Sequence, residues 1–410
     1  MTTRTPWLPT LPAHWSSPAL AHVAKLESGA DFKTVETEPS EDAVPVIGSG
    51  GPFAHASRAL YSGESVLLGR KGTVDKPLYW DGPFWTVDTM FYTVAGPRIL
   101  PRFLFYLALT VDYSYFSTNT ALPSVSGRDL REMRIPLPPL EEQRRIAEFL
   151  DRETAQIDEL IAKQEELIST LAERLQSRVE LLVTGADGTS IDAVETGVEW
   201  WPRLPADWGV PKVTHHFEVV LGKMLDGGRE PVRGEMSIPY IRAANIQESE
   251  LRLDDVNAMP MTAAEAARLD LRAGDLLVVE GGAVGVNQFL REDLPGISFQ
   301  KTVNRVRPRG PGSSEYLGVV LDVLRWRGVI DMICNRSTIA HFTAEKLAGL
   351  RVPWPPVARQ FEIAREVRAL REDVSVLTAR ALSAIDLLRE RRQALISATV
   401  TGQIDVGGAS

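Results

Sequence analysis

The chain has 410 residues, of which 44% are hydrophobic and 24% charged, so two or three globular domains are expected and disorder is excluded as the default. Its one cysteine, Cys334, excludes an internal disulfide and a cysteine-based zinc cluster. The net charge of −9 is concentrated: residues 141–188 hold 6 basic and 12 acidic side chains, which is two thirds of the excess, and the remaining segments are balanced enough to present a basic face.

In chain order, the N-terminus MTTRTPWLPTLP lacks an apolar core behind a basic start, which argues against a signal peptide. Apolar runs such as Phe103 to Val111 are too short to cross a bilayer, and a cytoplasmic location is expected. The first 135 residues alternate β-like runs (Val44 to Ile47, Ser65 to Leu68, Met90 to Val94) with a helical pattern at Arg102 to Thr110. Pro138-Pro139 then stops the chain and precedes a proline-free, glycine-free run from Leu140 to Thr184. Ile146, Leu150, Ile157, Leu160, Ile161, Leu167, Ile168, Leu171, Leu175 and Leu182 recur there in threes and fours, predicting one long helix ended by Gly185. Residues 200–350 again mix strands (Asp275 to Val279, Thr302 to Val306) with helices (Thr262 to Leu269, Ser314 to Ile333). A second long helical stripe follows: Val367, Leu370, Val374, Leu377, Ala381, Ala384, Ile385, Leu388 and Leu395, ending at Gly402.

The chain repeats itself. Trp7, Pro9, Leu11, Pro12, Ala13, Trp15 and Pro18 recur 193 residues later as Trp200, Pro202, Leu204, Pro205, Ala206, Trp208 and Pro211. Pro136, Pro138, Pro139, Gln143 and Ile146 recur after 217 residues as Pro353, Pro355, Pro356, Gln360 and Ile363. That offset still holds at Val183-Thr184-Gly185 and Val400-Thr401-Gly402, and as a multiple of seven it keeps the heptad phase. Variable α/β segment, helix, variable α/β segment, helix is the resulting order. The domains are read as 1–139, 140–186, 187–356 and 357–410. Each helix of about 43 residues is roughly 65 Å long, and neither buries its stripe alone. Mutual pairing is the economical solution; packing on a neighbouring domain or another chain is the alternative.

Several clusters have the chemistry to meet a polyanion. Gly69-Arg70-Lys71-Gly72 sets two cations between glycines, with Lys76 close behind and Arg58 and Asn119 as further candidates. In the second variable segment these are Lys223, Tyr240, Arg242, Asn245, Gln300, Lys301, Asn304, Arg305 and Arg336. Arginine and lysine bond phosphates or guanine edges, and amides bond adenine edges. The bland alternatives are a solvated turn at Arg70, an amphipathic edge strand at Gln300 to Arg305, and packing or surface duty at Tyr240 and Arg242. No acidic or amide residue and ring flank either Pro-Pro pair as an amino-methyltransferase loop would require, and no phosphate-binding Gly-x-x-x-x-Gly-Lys loop occurs. Neither Gly48 to Gly51 nor Gly281 to Gly285 matches a dinucleotide fingerprint, and His215-His216 lacks metal-ligand spacing. No active site, metal or cofactor is expected in the chain.

The run Ile135-Pro-Leu-Pro-Pro-Leu-Glu-Glu-Gln-Arg-Arg-Ile146 resembles the segment that opens a long helix after each recognition domain in specificity (S) subunits of Type I restriction–modification systems. Gly274 to Gly282, Phe299 to Lys301 and Gly63 to Gly72 are similar to segments of those domains. The second copy departs from the pattern, with Ala358-Arg359 in place of Glu-Glu. The resemblance implies an α/β fold of two target recognition domains separated by two long helices, paired as an antiparallel coiled coil with an internal pseudo-twofold repeat. It also implies a non-catalytic subunit that binds a split, asymmetric site in double-stranded DNA. Two methyltransferase (M) subunits carrying S-adenosylmethionine would dock on it, joined in restriction by R subunits, with no membrane role. Substituting Arg70 or Arg305 is then expected to weaken binding at one half-site. The competing readings are a coiled-coil scaffold that needs no DNA and a self-contained nuclease.

Overall fold

A computed structural model describes residues 10–116, 123–188, 192–225, 232–334 and 341–407. Two compact units are present: residues 1–166 with 381–410, and residues 167–380. This division passes through both long helices, so each unit holds part of each.

In the first unit, helices α1 (Pro101–Ala108), α2 (Gly127–Glu132) and the first part of α3 (Leu140–Thr184) accompany a four-stranded antiparallel sheet. Its strand order is Ala24–Ser28, Met90–Ala95, Ser65–Gly69, Leu78–Trp80. The second unit contains α4 (Ala263–Arg268), α5 (Ser314–Trp326), α6 (Val329–Cys334), α7 (Ala344–Gly349) and the start of α8 (Val357–Val400). Its corresponding sheet runs Phe217–Leu221, Val303–Pro308, Leu276–Val279, Asn287–Phe289.

The two sheets repeat in register. Ala24 faces Ala95 as Phe217 faces Pro308, and Leu68 faces Phe91 as Val278 faces Asn304. Leu67 faces Leu78 as Leu277 faces Gln288. Single bridges join Ser16 to Leu137 and Ala19 to Arg134; their counterparts join Gly209 to Trp354 and Lys212 to Arg351, at the same two offsets of 193 and 217. The repeat seen at the chain's matched ends therefore runs through the four-stranded sheets of the variable segments, where side chains diverge but pairing is kept. Among the described residues the remaining sheets differ, with five strands in the first unit and sheets of three and two strands in the second.

Both long helices form where the stripes place them. In the first unit, Ile146 and Leu150 of α3 share a core with Ile396 and Val400 of α8, and Arg392 pairs with Asp158 at 3.0 Å. In the second, Val179, Leu182 and Val183 of α3 share a core with Ile363, Ala364 and Val367 of α8, and Arg178 pairs with Glu366 at 2.6 Å. The start of each helix thus packs on the end of the other, and the pair is antiparallel. The stripes are buried at their ends more than in their middles: Leu160, Leu167 and Leu377 are 46%, 43% and 43% exposed.

Glycine ends both helices for a steric reason. Gly185 and Gly402 have φ of +66° and +73°, and the Ala186 and Gln403 amides reach back to Leu181 and Ala398 carbonyls at 3.0 and 2.8 Å, the Schellman closure. A Cβ on Gly402 would lie 2.5 Å from Pro12, and one on Gly185 would lie 2.4 Å from Pro205. Elsewhere, the helix expected over Ser314 to Ile333 is divided at Gly328, whose φ of +71° breaks it into α5 and α6. The strand expected from Thr302 begins at Val303, because the Val303 amide turns back to the Gln300 carbonyl at 2.9 Å. Among the described residues, no helix is long and apolar enough to cross a membrane.

Candidate nucleic-acid interface

The cationic turn of the first unit is built by its glycines. A side chain on Gly69 would meet the Thr73 carbonyl at 2.1 Å, and Gly72 takes a φ of +80°, so the chain reverses tightly between them. Arg70 is half-buried, lying 5.6 Å over the Phe91 ring, while Lys71 is exposed and bridges to Ser124. That bridge brings α2 alongside. Ser126 caps α2 by accepting from the Asp129 amide at 3.1 Å. The result is a concavity of about 420 Å³ lined by Arg70, Lys71, Phe91, Phe116, Arg128 and Arg131. Asp129 also lines it, and Arg128 pairs with Glu132 at 2.9 Å. Four cations against one lining carboxylate, beside two rings, still suit a phosphate-bearing, base-bearing ligand.

Arg128 and Arg131 are absent from the sequence candidates, because only the Lys71–Ser124 bridge carries them to the turn. Of the other first-unit candidates, Arg58 is exposed 5.8 Å over the Trp85 ring and Lys76 is exposed; neither lines the concavity. Asn119 lies outside the described residues, as does Arg336 of the second unit.

In the second unit most candidates are structural. Arg305 has a side chain 3% exposed; it donates to the Asp270 carbonyl at 2.7 Å and to Glu218 at 3.2 Å. Asn304 is fully buried and donates to the Phe342 carbonyl at 3.2 Å. Asn245 closes a turn by accepting from the Arg242 amide at 3.0 Å and donating to Arg252 and Asp255 carbonyls. Tyr240 belongs to an apolar core, and Gln300 is 9% exposed. Both faces of Val303–Val306 are buried, so the polarity of Asn304 and Arg305 serves internal pairing here, and Tyr240, Asn245 and Gln300 are buried as well.

Lys223 likewise donates to Glu265 at 2.8 Å and to the Pro260 carbonyl at 2.9 Å, and Arg242 pairs with Asp255 at 2.6 Å. Lys301 is exposed. Close to it stands Glu280, a residue the sequence reading passed over. Burial pushes its carboxyl above the usual carboxylate range, while His341 and Lys301 pull it back. His216, which the sequence gives a core or surface role rather than a metal-binding one, stacks on Trp354 with ring centroids 3.9 Å apart.

A family model, Type I restriction modification DNA specificity domain, matches residues 12–170. Over 95% of its length the chain is 24% identical to the Type I restriction enzyme EcoBI specificity subunit of Escherichia coli, covering 86% of that protein. Residues 12–170 thus match a Type I DNA specificity domain, and the chain is similar to Type I specificity subunits over most of its length. The EcoKI specificity subunit of E. coli K12 is 23% identical over 83% of the chain and 74% of its own length. Among solved structures, a chain from work on complex assembly and conformational transition of the type I R-M system superposes with a TM-score of 0.67 at 19% identity, covering 97% of this chain and all of that one. The HsdS subunit from Thermoanaerobacter tengcongensis gives 0.51 at 19% identity, covering 97% and 99%. The chain thus shares their fold, and the domain matched by the family model contains the whole Arg70 concavity.

Proposed function

We propose that the chain reads DNA for a Type I restriction–modification complex: each recognition domain binds one half of a split, asymmetric site, and the long helices fix the gap. The recognition domains are residues 1–139 and 187–356, and the helical spacers 140–186 and 357–410. The observation that carries this reading is the repeat itself. One backbone frame is built twice in register, with different side chains on it, which suits two readers of different short sequences. Half-sites on one face of a duplex lie about 34 Å apart per turn, a gap that helices of roughly 65 Å are long enough to set.

Two M subunits would dock on the helices, where apolar side chains such as Leu382 and Leu387 are 51% and 67% exposed. R subunits would join for restriction. S-adenosylmethionine belongs to the M partners in this reading, and they would flip and methylate the target adenine; no step of that chemistry is assigned to this chain, whose place is the cytoplasm. Among the described residues no group of three or more His, Cys, Asp or Glu side chains could hold a metal.

The test is single-molecule methylome sequencing of a host carrying the M subunit with and without this chain. A split motif with a fixed gap, methylated when the chain is present, is the expected result. Absence of a new motif, with soluble chain and active M subunit, would favour the scaffold.

A further inference from the structure

The repeat sets residues of the two units in correspondence, and one matched pair differs in the sign of its charge. Arg70 follows the strand Ser65–Gly69, and Glu280 follows Leu276–Val279, strands that share the same register against their neighbours. The Arg70 amide donates to the Thr89 carbonyl at 2.8 Å; the Glu280 amide donates to the Thr302 carbonyl at 2.9 Å. In return, the Arg70 carbonyl accepts from Val125 at 3.0 Å, and the Glu280 carbonyl from Phe342 at 2.8 Å. The next residues bridge alike, Lys71 to Ser124 and Gly281 to His341. One residue further, Gly72 and Gly282 have φ of +80° and +89°. Backbone anchors on both sides therefore hold the two side chains at one place in the frame.

The frame does not explain the charge reversal, since the same bonds form with either residue. What the side chains offer differs completely. Arginine is a donor alone, and an ionised carboxylate an acceptor alone. In the major groove, guanine presents two acceptors, while cytosine and adenine each present an exocyclic amine as donor. Glu280 is half-buried, and its Oε2 is out of water without a hydrogen-bond partner among the described residues. A buried acceptor left open is costly, and because the Glu280 side chain is part-exposed, unlike Asn304 and Arg305, turning its carboxylate outward would let an incoming amine satisfy it.

We propose that the position shared by Arg70 and Glu280 determines specificity in both half-sites, with Arg70 donating to a guanine edge in one and Glu280 accepting from an exocyclic base amine in the other. This rests on the reading of the chain as a DNA specificity subunit.

The experiment compares methylation by the complex of M subunits with wild-type chain, Arg70→Ala, Glu280→Ala or Glu280→Gln, on wild-type motifs and on every single-base-pair substitution of them. Glu280→Ala should relax discrimination at one base pair on the order of ten-fold, leaving the other half-site unchanged. Arg70→Ala should do the same at a G·C pair of the opposite half-site. The pair relaxed by Glu280→Ala names the amine: C·G for cytosine, A·T for adenine. Should Glu280→Ala fail to fold, the isosteric Glu280→Gln decides, because an amide donates as well as accepts and should relax the same position. Glutamate variants that fold and leave every position unchanged would overturn the proposal, as would relaxation in the half-site that Arg70→Ala affects. Failure of the underlying reading looks different: the wild-type chain itself would direct no split motif.

Discussion

Gln143 and Gln360 are equivalent caps, each tying the start of a long helix to its own unit. The Gln143 amide donates to the Pro138 carbonyl at 2.8 Å and accepts from the Leu100 amide at 2.9 Å. Gln360 donates to the Pro355 carbonyl at 3.0 Å and accepts from the Ser313 amide at 3.0 Å. Both side chains are fully buried. Gln360→Ala therefore leaves a buried N–H and a buried carbonyl without these partners, which costs about 1–3 kcal/mol. Urea unfolding of the full chain, followed by the fluorescence of its tryptophans, should show the midpoint fall. An unchanged midpoint would mean that water or a local shift replaces the glutamine.

Arg305 now carries a different expectation from Arg70. Its guanidinium is held by Asp270 and Glu218, and Arg307 beside it pairs with Asp275 at 2.7 Å. Removing Arg305 takes a buried guanidinium from Asp270 and Glu218, whose side chains are 27% and 47% exposed, so solvent screening keeps the loss below the ~3–5 kcal/mol of a fully buried pair. Arg305→Ala should lower the thermal unfolding temperature and the yield of soluble chain. Half-site discrimination in the surviving folded protein should stay as in wild type. A normally stable variant with one relaxed half-site would restore Arg305 as a base reader.

Much of this architecture is written locally. The long helices follow from glycine- and proline-free stripes, their ends from Gly185 and Gly402, and their pairing from a repeat that conserves heptad phase. Strands such as Ser65–Gly69 and Leu276–Val279 are short apolar runs bounded by turn residues. Arg305 misleads because its partners lie 35 and 87 residues away in sequence, and a charge in a strand gives no local sign of an internal counter-charge. Arg128 and Arg131 become part of the concavity through a long-range bridge. Glu280 was within reach: an offset of 210 places Gly72 on Gly282 and Arg70 on Glu280. That offset is invisible to a comparison confined to the best-matched ends, because the second copy gains residues between 47 and 65 and again after 80.

A pH response follows from the cap of α4. Glu265 lies below the ordinary glutamate value of 4.5 because Lys223 donates to it, helped by the Thr262 amide and hydroxyl. A depressed folded-state pKa adds stability above the unfolded value and loses it as pH falls through the folded one. Lys223→Met removes the leading cause, so its unfolding temperature should lie below wild type at neutral pH. Below about pH 4.5 the gap should narrow as Glu265 protonates in both proteins. Since Glu265 is 35% exposed, the effect is modest. A gap that stays constant from neutral to acidic pH would assign it to lost packing of the lysine stem.

Lys71 and Arg70 are neighbours with separable duties. Lys71 is exposed at the mouth of the concavity, whereas Arg70 is half-buried over Phe91. An exposed lysine suits a phosphate, where binding releases a counterion and carries no sequence information. Lys71→Ala should weaken binding to matched and mismatched duplexes alike and reduce the slope of log affinity against log salt by about 0.9, the share of one phosphate contact. The ratio between matched and mismatched duplexes should stay constant, unlike the relaxation expected for Arg70→Ala. Titrating labelled duplex with the complex across a salt series measures both quantities together. A Lys71→Ala variant with an unaltered salt slope and a changed ratio would exchange the two roles, placing the lysine on a base edge and the arginine on the backbone.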